Sequence, residues 1–304
     1  MAAFLVRRVT AGVLTILVVT LVVFIMLRFS GDPAALLLPP DAAIEQIQAL
    51  RERLGLNQPL AVQYWQFFSK AVQGDLGVSF RYKEPSLGLV LDHLPATLLL
   101  AGAALALAVV LGIPLGMIAA VRRQSWVDRT VQGLAALGQS APVFWIGMML
   151  ILIFAVQLEW FPVSGRYTAS SIILPASTLA IFNLGLLMRV VRSEVLDILG
   201  MDYVRTARAK GLHASRVLTQ HVLRNSALGT VTIIGLQLGA LLGGAVVTET
   251  VFAWPGLGRL TVDAIYIRDF PLVVAAVFVI AVMITGLNIL VDISYAILDP
   301  RIRY

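Results

Sequence analysis

The strongest constraint on this chain is a set of apolar runs, each long enough to cross a membrane. A helix needs about 20 apolar residues to cross about 30 Å of hydrocarbon. The chain has 304 residues, of which 59% are hydrophobic and 13% are charged, so it carries more apolar surface than one soluble core could bury. We therefore expect an all-α membrane protein. Six spans are predicted, at residues 9–27, 94–120, 134–158, 172–191, 230–252 and 272–293.

The first apolar run follows Arg7-Arg8, an arrangement that resembles a secretory signal peptide. No cleavage site of the A-x-A kind follows the run, so we interpret it as a retained first span. Residues 1–29 are therefore predicted to form the N-terminus and the first transmembrane helix.

A long polar insertion, residues 30–95, separates the first two spans and carries two amphipathic patterns. One pattern is predicted to begin near a cap at Asp41 and end at Gly55, and the other to run from Pro59 to Gly74. Their apolar faces hold Ile44, Ile47, Leu50 and Leu54 in the first, and Leu60, Tyr64, Phe67, Phe68 and Ala71 in the second. We expect a small external helical subdomain on the membrane surface. The remaining residues, 96–304, are predicted to form a five-helix core with a loop at 192–229.

Small residues and prolines within the spans predict close helix contacts and kinks. Gly112 and Gly116 flank Pro114 in the second span, and Pro142 interrupts the third. In the fifth span, every fourth residue of one face is a glycine. This spacing predicts tight helix packing, with a pore-lining role as the weaker alternative. The three residues are Gly235, Gly239 and Gly243.

The distribution of lysine and arginine predicts the orientation in the membrane. Basic residues concentrate in the N-terminus, in the loop after the second span, in residues 189–224 and in the tail, whereas the short loops of the opposite side hold Arg166, Arg259 and Arg268. Because basic short loops remain in the cytoplasm, both termini and the long basic loop are predicted to be cytoplasmic. The net charge of +6 is explained by this orientation and does not require nucleic acid.

Residues 202–225, DYVRTARAKGLHASRVLTQHVLRN, form a polar, basic interruption between two apolar runs. We predict a helix, a turn and a second helix, with Ala207 and Gly211 on one face as a shallow surface that another protein can approach. Gly211 is also the expected break between the helices. Arg205 and Arg208 border this face. The alternative is a solvated loop whose charges only set membrane orientation.

This segment resembles the cytoplasmic coupling loop of ABC importer permeases, in the branch that carries dipeptides, oligopeptides and nickel chelates. The family motif reads here as Arg205-Thr206-Ala207 followed by Gly211. The family commonly has proline where this chain has Gly229, which leaves the start of the next helix less rigidly specified. Further resemblances cover nearly the whole chain: Ser30-Gly31-Asp32-Pro33-Ala34, GDLGVSF at 74–80, FAWPGLGRL at 252–260, RDFP at 268–271 and LDPRIRY at 298–304.

The resemblance implies a type I ABC importer permease fold and identifies the chain as the first, B-type, of two permeases in a heterodimeric channel. It also implies one or two ATPase subunits, an external substrate-binding protein and a place in the bacterial cytoplasmic membrane. Residues implied to couple to the ATPase are Tyr203, Arg205, Ala207, Arg208, Ala209, Lys210, Gly211, Leu212, Arg216, His221, Arg224 and Asn225. ATP and Mg would be held by the partner ATPases, and this chain would bind no cofactor.

Motifs for catalysis are missing from the sequence. There is no P-loop motif and no Gly-Lys pair, so the chain cannot supply a phosphate-binding loop for ATP. It has no cysteine, and its histidines, His93, His213 and His221, are too scattered for a metal site. We therefore expect a subunit that is not an enzyme. An autonomous channel or secondary carrier is the alternative from another class, and it predicts inverted repeats and intramembrane polar sites.

Glu249, near one end of the fifth span, is an exception among the otherwise apolar spans. An ionisable group at that depth is costly unless it faces protein or water, which makes Glu249 a candidate for lining a pore or gate. A structural partnership with Arg259 or Arg268 is an equally good explanation. The cargo stays open among dipeptides, oligopeptides, nickel chelates and glutathione, because in such systems the external binding protein does much of the selecting.

Overall fold

The structure is a computed structural model that describes residues 2–29, 34, 38, 42–53 and 55–298, with backbone alone at 2–5, 224, 227–228 and 294–298. The predicted cap Asp41, the predicted apolar residue Leu54 and the terminal DPRIRY run lie outside the described residues. So do the first residues of the run that begins at Ser30.

Helices account for nearly all regular structure in the described residues, which contain no strand beyond one isolated bridge between Val78 and Pro85. Short π-helical segments at Ile151–Gln157 and Val217–Leu223 and a 3₁₀ turn at Ala169–Ile172 directly adjoin α-helices. The α-helices are α1 Ala2–Phe29, α2 Ile44–Arg53, α3 Leu60–Val72, α4 Ser86–Val121, α5 Trp126–Ser140, α6 Val143–Leu150, α7 Ile173–Leu199, α8 Asp202–Ala209, α9 Ala214–Arg216, α10 Arg224–Val251, α11 Leu257–Tyr266 and α12 Phe270–Leu298.

Five of these helices, α1, α4, α7, α10 and α12, are long and apolar enough to cross a membrane. The predicted third span corresponds to α5 and the continuous α6 and π-helical segment, which together are bent by 106°. The kink predicted at Pro142 is confirmed, because Ala141 and Pro142 are extended there, with ψ of 137° and 136°. A proline lacks the N–H of a helical bond and disfavours helical geometry in the residue before it. The bend is much sharper than a kinked single crossing would require.

One predicted helix start was wrong. The second transmembrane helix begins at Ser86, so Pro95 lies inside α4 and does not open it. Prolines are tolerated inside transmembrane helices when neighbouring groups satisfy the freed carbonyl. The predicted fifth span, 230–252, is confirmed, because the apolar stretch of α10 covers Gly229–Val251. The helix itself begins earlier, at Arg224, so Gly229 lies inside α10, where a Cβ atom would overlap the carboxylate of Glu194.

The chain divides into two compact units, and the first consists of Met1–Pro95 with Gly256–Gly286. In this unit α3 packs on α1, with the rings of Phe24 and Tyr64 5.7 Å apart and the Tyr64 hydroxyl donating to the carbonyl of Leu17 at 2.8 Å. The amphipathic pattern predicted to begin at Pro59 is confirmed as α3, whereas α2 has no buried residue and leaves Ile44 74% exposed.

The second unit consists of Ala96–Pro255 with Leu287–Tyr304. The close helix contact predicted at Gly112 and Gly116 is confirmed, because both face α7. A Cβ atom at Gly116 would come within 2.8 Å of the Met188 carbonyl oxygen, and one at Gly112 within 3.1 Å of the Leu187 side chain. Helices approach this closely only where a side chain is missing. This contact holds α7, which leads into the basic segment, against α4.

Candidate functional site

The basic segment at 202–225, called the coupling segment below, begins with α8 and then turns sharply. Its first helix starts after Met201, which is extended, and carries Asp202 in its first turn and Arg208 in its last. These charges complement the helix dipole. The N–H of Gly211 bonds to the carbonyl of Arg208 at 2.9 Å, and the N–H of Leu212 to that of Ala207 at 3.3 Å. This is the Schellman arrangement that ends helices at a left-handed residue.

Gly211 occupies that left-handed position, with φ of 77°. The prediction that it breaks the two helices is confirmed. A Cβ atom there would meet nothing within 4 Å, so the need for glycine comes from the backbone conformation and not from lack of space. After the turn, α9 and the π-helical segment 217–223 lead into α10.

Ala207 does not share an outer face with Gly211, and the predicted shallow surface of these two residues is therefore wrong. The helix ends at Ala209, before Gly211, and Ala207 is 6% exposed on its inner side. Val204, one turn earlier, is fully buried beside it. Both belong to an apolar cluster with residues of α7 and of the π-helical segment: Leu187, Val191, Val195, Ile198, Val217 and Val222.

The outer face of the coupling segment is polar and basic. Arg205 leaves 74% of its side chain exposed and reaches Asp202 at 3.5 Å, an exposed pair of small energetic value. The amide of Asn225 donates to the Tyr203 hydroxyl at 3.2 Å and to the His221 carbonyl at 2.6 Å, which ties α8 to the start of α10.

The predicted coupling residues separate by exposure. Leu212 and His221 are half-buried, Ala207 is buried, and the side chain of Arg224 lies outside the described residues. The exposed ones are Tyr203, Arg205, Arg208, Ala209, Lys210, Gly211, Arg216 and Asn225. A partner that approaches this segment would therefore meet a rim of cations and one tyrosine on a helix whose opposite side is held by apolar contacts.

A partly buried ion pair in the second unit was missed by the sequence analysis. Arg192 of α7 donates from its two nitrogens to the two carboxylate oxygens of Asp128, at 2.7 and 2.8 Å, and 6% of the Asp128 side chain is exposed. The N–H of Gln124 also donates to Asp128 at 2.9 Å. The pair joins the first turn of α5 to the last part of α7. The feature of the sequence that could have indicated this pair is Asp128, an acid one turn after Ser125, which caps α5.

Glu249 is fully buried and accepts a hydrogen bond from the Thr97 hydroxyl at 2.6 Å. Close by, Trp254 donates from its ring nitrogen to the Ala96 carbonyl at 2.9 Å and from its backbone to the Glu249 carbonyl at 2.8 Å. The carboxylate therefore faces protein in this conformation. Its role in a gate remains a prediction.

The glycines of α10 differ from one another in their surroundings. Gly235 is buried, and a Cβ atom at Gly239 would lie 3.4 Å from the side-chain oxygen of Asn288. Gly243 is exposed, and a Cβ atom there would meet nothing within 4 Å. Gly243 therefore lies on an exposed face of α10, so this chain alone does not supply the tight packing predicted there. Contact of that face with another subunit stays a prediction.

Polar side chains inside the spans were also missed. Asn183 of α7 and Gln237 of α10 are 6% and 3% exposed, and the Gln237 amide donates to the Asn183 carbonyl at 3.2 Å. This interhelical bond joins two spans in the second unit.

Among the residues that the structure describes, no three histidine, aspartate or glutamate side chains come close enough together to hold a metal ion.

Comparison with family models finds two matches that together cover most of the chain. A family described as "Binding-protein-dependent transport system inner membrane component" matches residues 112–304. Its N-terminal counterpart, "Binding-prot-dependent transport system membrane comp, N-term", matches residues 1–101.

Curated relatives align over their full lengths. A putative peptide transport system permease protein of Brucella abortus (strain 2308) is 40% identical over 313 residues, with 100% of both chains covered. The glutathione transport system permease protein GsiC of Escherichia coli (strain K12) is 40% identical over 305 residues, again with 100% of both covered.

Solved structures share the fold at low sequence identity. A chain of the MetNI methionine ABC transporter, in an inward-facing conformation, aligns with a TM-score of 0.58 and 21% identity over 71% of this chain and 97% of its own. A chain of an amino acid ABC transporter with histidines aligns with a TM-score of 0.52 and 15% identity over 69% and 94%. The predicted all-α, type I importer permease fold is confirmed.

Proposed function

The chain belongs to the family of binding-protein-dependent transport system inner membrane components, and from that premise we propose that it forms half of the translocation pore of an ATP-driven peptide importer. A second, homologous permease supplies the other half. One or two cytoplasmic ATPase subunits dock on the coupling segment, and an external binding protein delivers the cargo.

The coupling segment is the observation that carries this proposal. Its inner face, with Val204 and Ala207, packs on an apolar cluster, while Arg205, Arg208 and Lys210 face outward. The segment also lies in the chain between two long apolar helices, α7 and α10. A rigid helix that contacts a partner on one side and two spans on the other can carry a movement of the partner into the membrane.

The ion pair between Arg192 and Asp128 supports the same route. Because Arg192 and Asp128 bond through two short contacts, displacement of the end of α7 also displaces the start of α5. Helix α5 leads into the bend at Pro142. We propose that this connection spreads the movement of the coupling segment to the bent helix pair.

The cargo proposal is di- or oligopeptides, supported by the name of the Brucella abortus relative. Glutathione is the alternative supported by the name of the Escherichia coli relative, and it is itself a short peptide-like thiol. Nickel chelates, from the same branch of the family, are a further alternative. The proposed location is the bacterial inner membrane, with both termini in the cytoplasm as the distribution of basic residues predicts.

Division of labour between subunits gives the first test. The sequence has no P-loop, so the purified chain alone should hydrolyse no ATP and transport no peptide after reconstitution in proteoliposomes. Addition of the second permease, the ATPases and the binding protein should give ATP-driven uptake of labelled peptide. Uptake by this single subunit would instead identify an autonomous channel or carrier.

Docking on the coupling segment gives the second test. Arg205→Glu with Arg208→Glu should reduce co-purification of the ATPase, because both cations are exposed at the proposed contact. Arg53→Glu, at an exposed position at the end of α2, is the matched control and should leave co-purification unchanged. Equal recovery of the ATPase with all variants would mean that the segment only sets orientation.

A further inference from the structure

A groove of about 470 Å³ lies within the first unit, between the end of α1, helix α3, the loop 75–83 and the start of α12. This volume falls in the range of about 300–1,000 Å³ typical of small-molecule sites. Its walls combine many apolar side chains with a few charged ones. None of these residues has a role in the proposed coupling to an ATPase.

Aromatic packing forms the apolar floor of the groove. The rings of Phe24 and Phe67 stack with centroids 6.1 Å apart, and those of Phe80 and Phe270 meet edge to face at 6.5 Å. Both pairs line the groove, together with Leu27, Leu56, Leu76, Val78, Pro271 and Val274. Such a floor suits a hydrocarbon chain.

The charged residues of the groove are mostly cations. Among the residues that the structure describes, Lys70, Lys83 and Arg28 line it, against one acid, Asp75, whose carboxylate already accepts the N–H of Gly77 at 3.0 Å. Arg28 lies in the last turn of α1, and its guanidinium carbon is 5.2 Å from the centroid of the Phe24 ring. The excess of positive charge favours an anionic ligand.

We propose that this groove binds a phospholipid with an anionic headgroup. Its acyl chain would lie on the aromatic floor, and its phosphate would lie near Arg28, Lys70 and Lys83. The position of the groove selects a lipid over other anions. It lies at the end of a helix whose apolar stretch is long enough to cross the bilayer, where hydrocarbon gives way to headgroups. A cluster of cations at that depth attracts the negative charge of a phosphate headgroup.

The test uses the solubilised chain and native mass spectrometry in the presence of equal amounts of phosphatidylglycerol and phosphatidylcholine. The wild type should retain phosphatidylglycerol preferentially. Lys70→Gln combined with Lys83→Gln should lower that preference about 30-fold. This figure takes about a fivefold loss for each lysine that no longer attracts the anionic headgroup. Lys210→Gln, in the coupling segment, removes the remaining lysine of the chain and should leave the preference unchanged.

A second variant tests the apolar part of the site. Leu56→Trp, at a half-buried position that lines the groove, should reduce retention of both lipids by filling the floor. Inorganic phosphate at millimolar concentration should not displace the lipid, because a free anion makes no contact with the floor. Equal retention of the two lipids by the wild type would overturn the proposal. Unchanged lipid retention in the double variant, with weaker capture of the external binding protein, would assign the groove to that protein instead.

Discussion

Asp269 and Arg205 are both charged, but the chain uses them in opposite ways. Asp269 is 1% exposed. Its carboxylate accepts hydrogen bonds from the Ser79 hydroxyl at 2.5 Å and from the N–H groups of Phe80 and Arg81 at 3.1 Å. It also lies 3.4 Å from the N–H of Leu272, at the start of α12. Arg205 leaves 74% of its side chain exposed and meets Asp202 at 3.5 Å.

The buried carboxylate stabilises the fold, whereas the exposed arginine is suited to contact a partner. A buried carboxylate must accept hydrogen bonds at its oxygens, and these bonds hold the donor groups in place. Here they hold the loop 79–81 against α12 in the first unit. An exposed arginine contributes little to the stability of its own chain. The exposed cations of the coupling segment are therefore available to a partner. Four pairs of substitutions, each a variant with its control, test this separation.

The largest effect is expected from Asp269→Ala. It removes the acceptor of the buried Ser79 hydroxyl and of the partly buried N–H groups of Phe80 and Arg81. An unsatisfied buried donor costs about 1–3 kcal/mol. We expect a loss of about 3 kcal/mol or more in the free energy of unfolding. Thermal unfolding of the solubilised protein, followed by circular dichroism, measures it. Arg205→Ala is the control, with an expected change below about 0.5 kcal/mol. Similar losses for both variants would break the comparison.

Two ion pairs of the second unit give the next effect. Asp128→Ala leaves the partly buried guanidinium of Arg192 without its partner, and we expect a loss of about 2–3 kcal/mol. Asp202→Ala removes the exposed partner of Arg205 and should cost less than about 0.5 kcal/mol. The same unfolding measurement applies. If burial does not matter here, the two variants will have the same midpoint.

Gly211→Val should cost about 1–2 kcal/mol locally, because a β-branched residue is strained at φ of 77°. The measurement is co-purification of the ATPase together with uptake in vesicles, which should both fall, while membrane insertion stays normal. Gly211→Asn is the matched control, since asparagine tolerates left-handed geometry. Ala207→Trp is not an equivalent test, because Ala207 is buried and a larger side chain would disturb the core. Wild-type behaviour of Gly211→Val would remove the turn from the coupling mechanism.

Glu249→Gln should have the smallest effect on stability, below about 1 kcal/mol, because the amide keeps an oxygen that can accept the Thr97 bond. If the charge takes part in gating, uptake or substrate-stimulated ATPase activity will change while assembly stays intact. Thr97→Val keeps the charge and removes the donor, which separates the two contributions. Normal transport by Glu249→Gln would place Glu249 with Asp269 as an architectural carboxylate.

Local patterns predicted the helices and turns of the chain well. The α3 helix, the break at Pro142 and the left-handed turn at Gly211 follow from amphipathic spacing, from the missing N–H of proline and from the freedom of glycine. The close contact at Gly112 and Gly116 was also predicted. The start of α4 was not, because Pro95 indicated a helix start and the helix continues through it.

The coupling segment shows where local reasoning ends. Its basic residues and turn were predicted, but Ala207 was assigned to the outer face. The Ala207 side chain points inward because it packs, together with Val204, in the apolar cluster formed with α7 and the π-helical segment. The ion pair between Asp128 and Arg192 joins residues 64 positions apart, and the bond from Ser79 to Asp269 joins residues 190 positions apart.

The sequence by itself determined that this chain is a helical membrane protein and which family it resembles. These conclusions rest on the length of apolar runs and on short motifs, both of which are properties of neighbouring residues. Only the tertiary structure decided which face of each helix lies inward. In a membrane, an apolar helix face can contact lipid or protein at nearly equal energy. The sequence therefore does not show which face packs on another helix, and Gly116 and Gly243 look alike in it. One contacts α7 and the other is exposed, because helix packing places them differently.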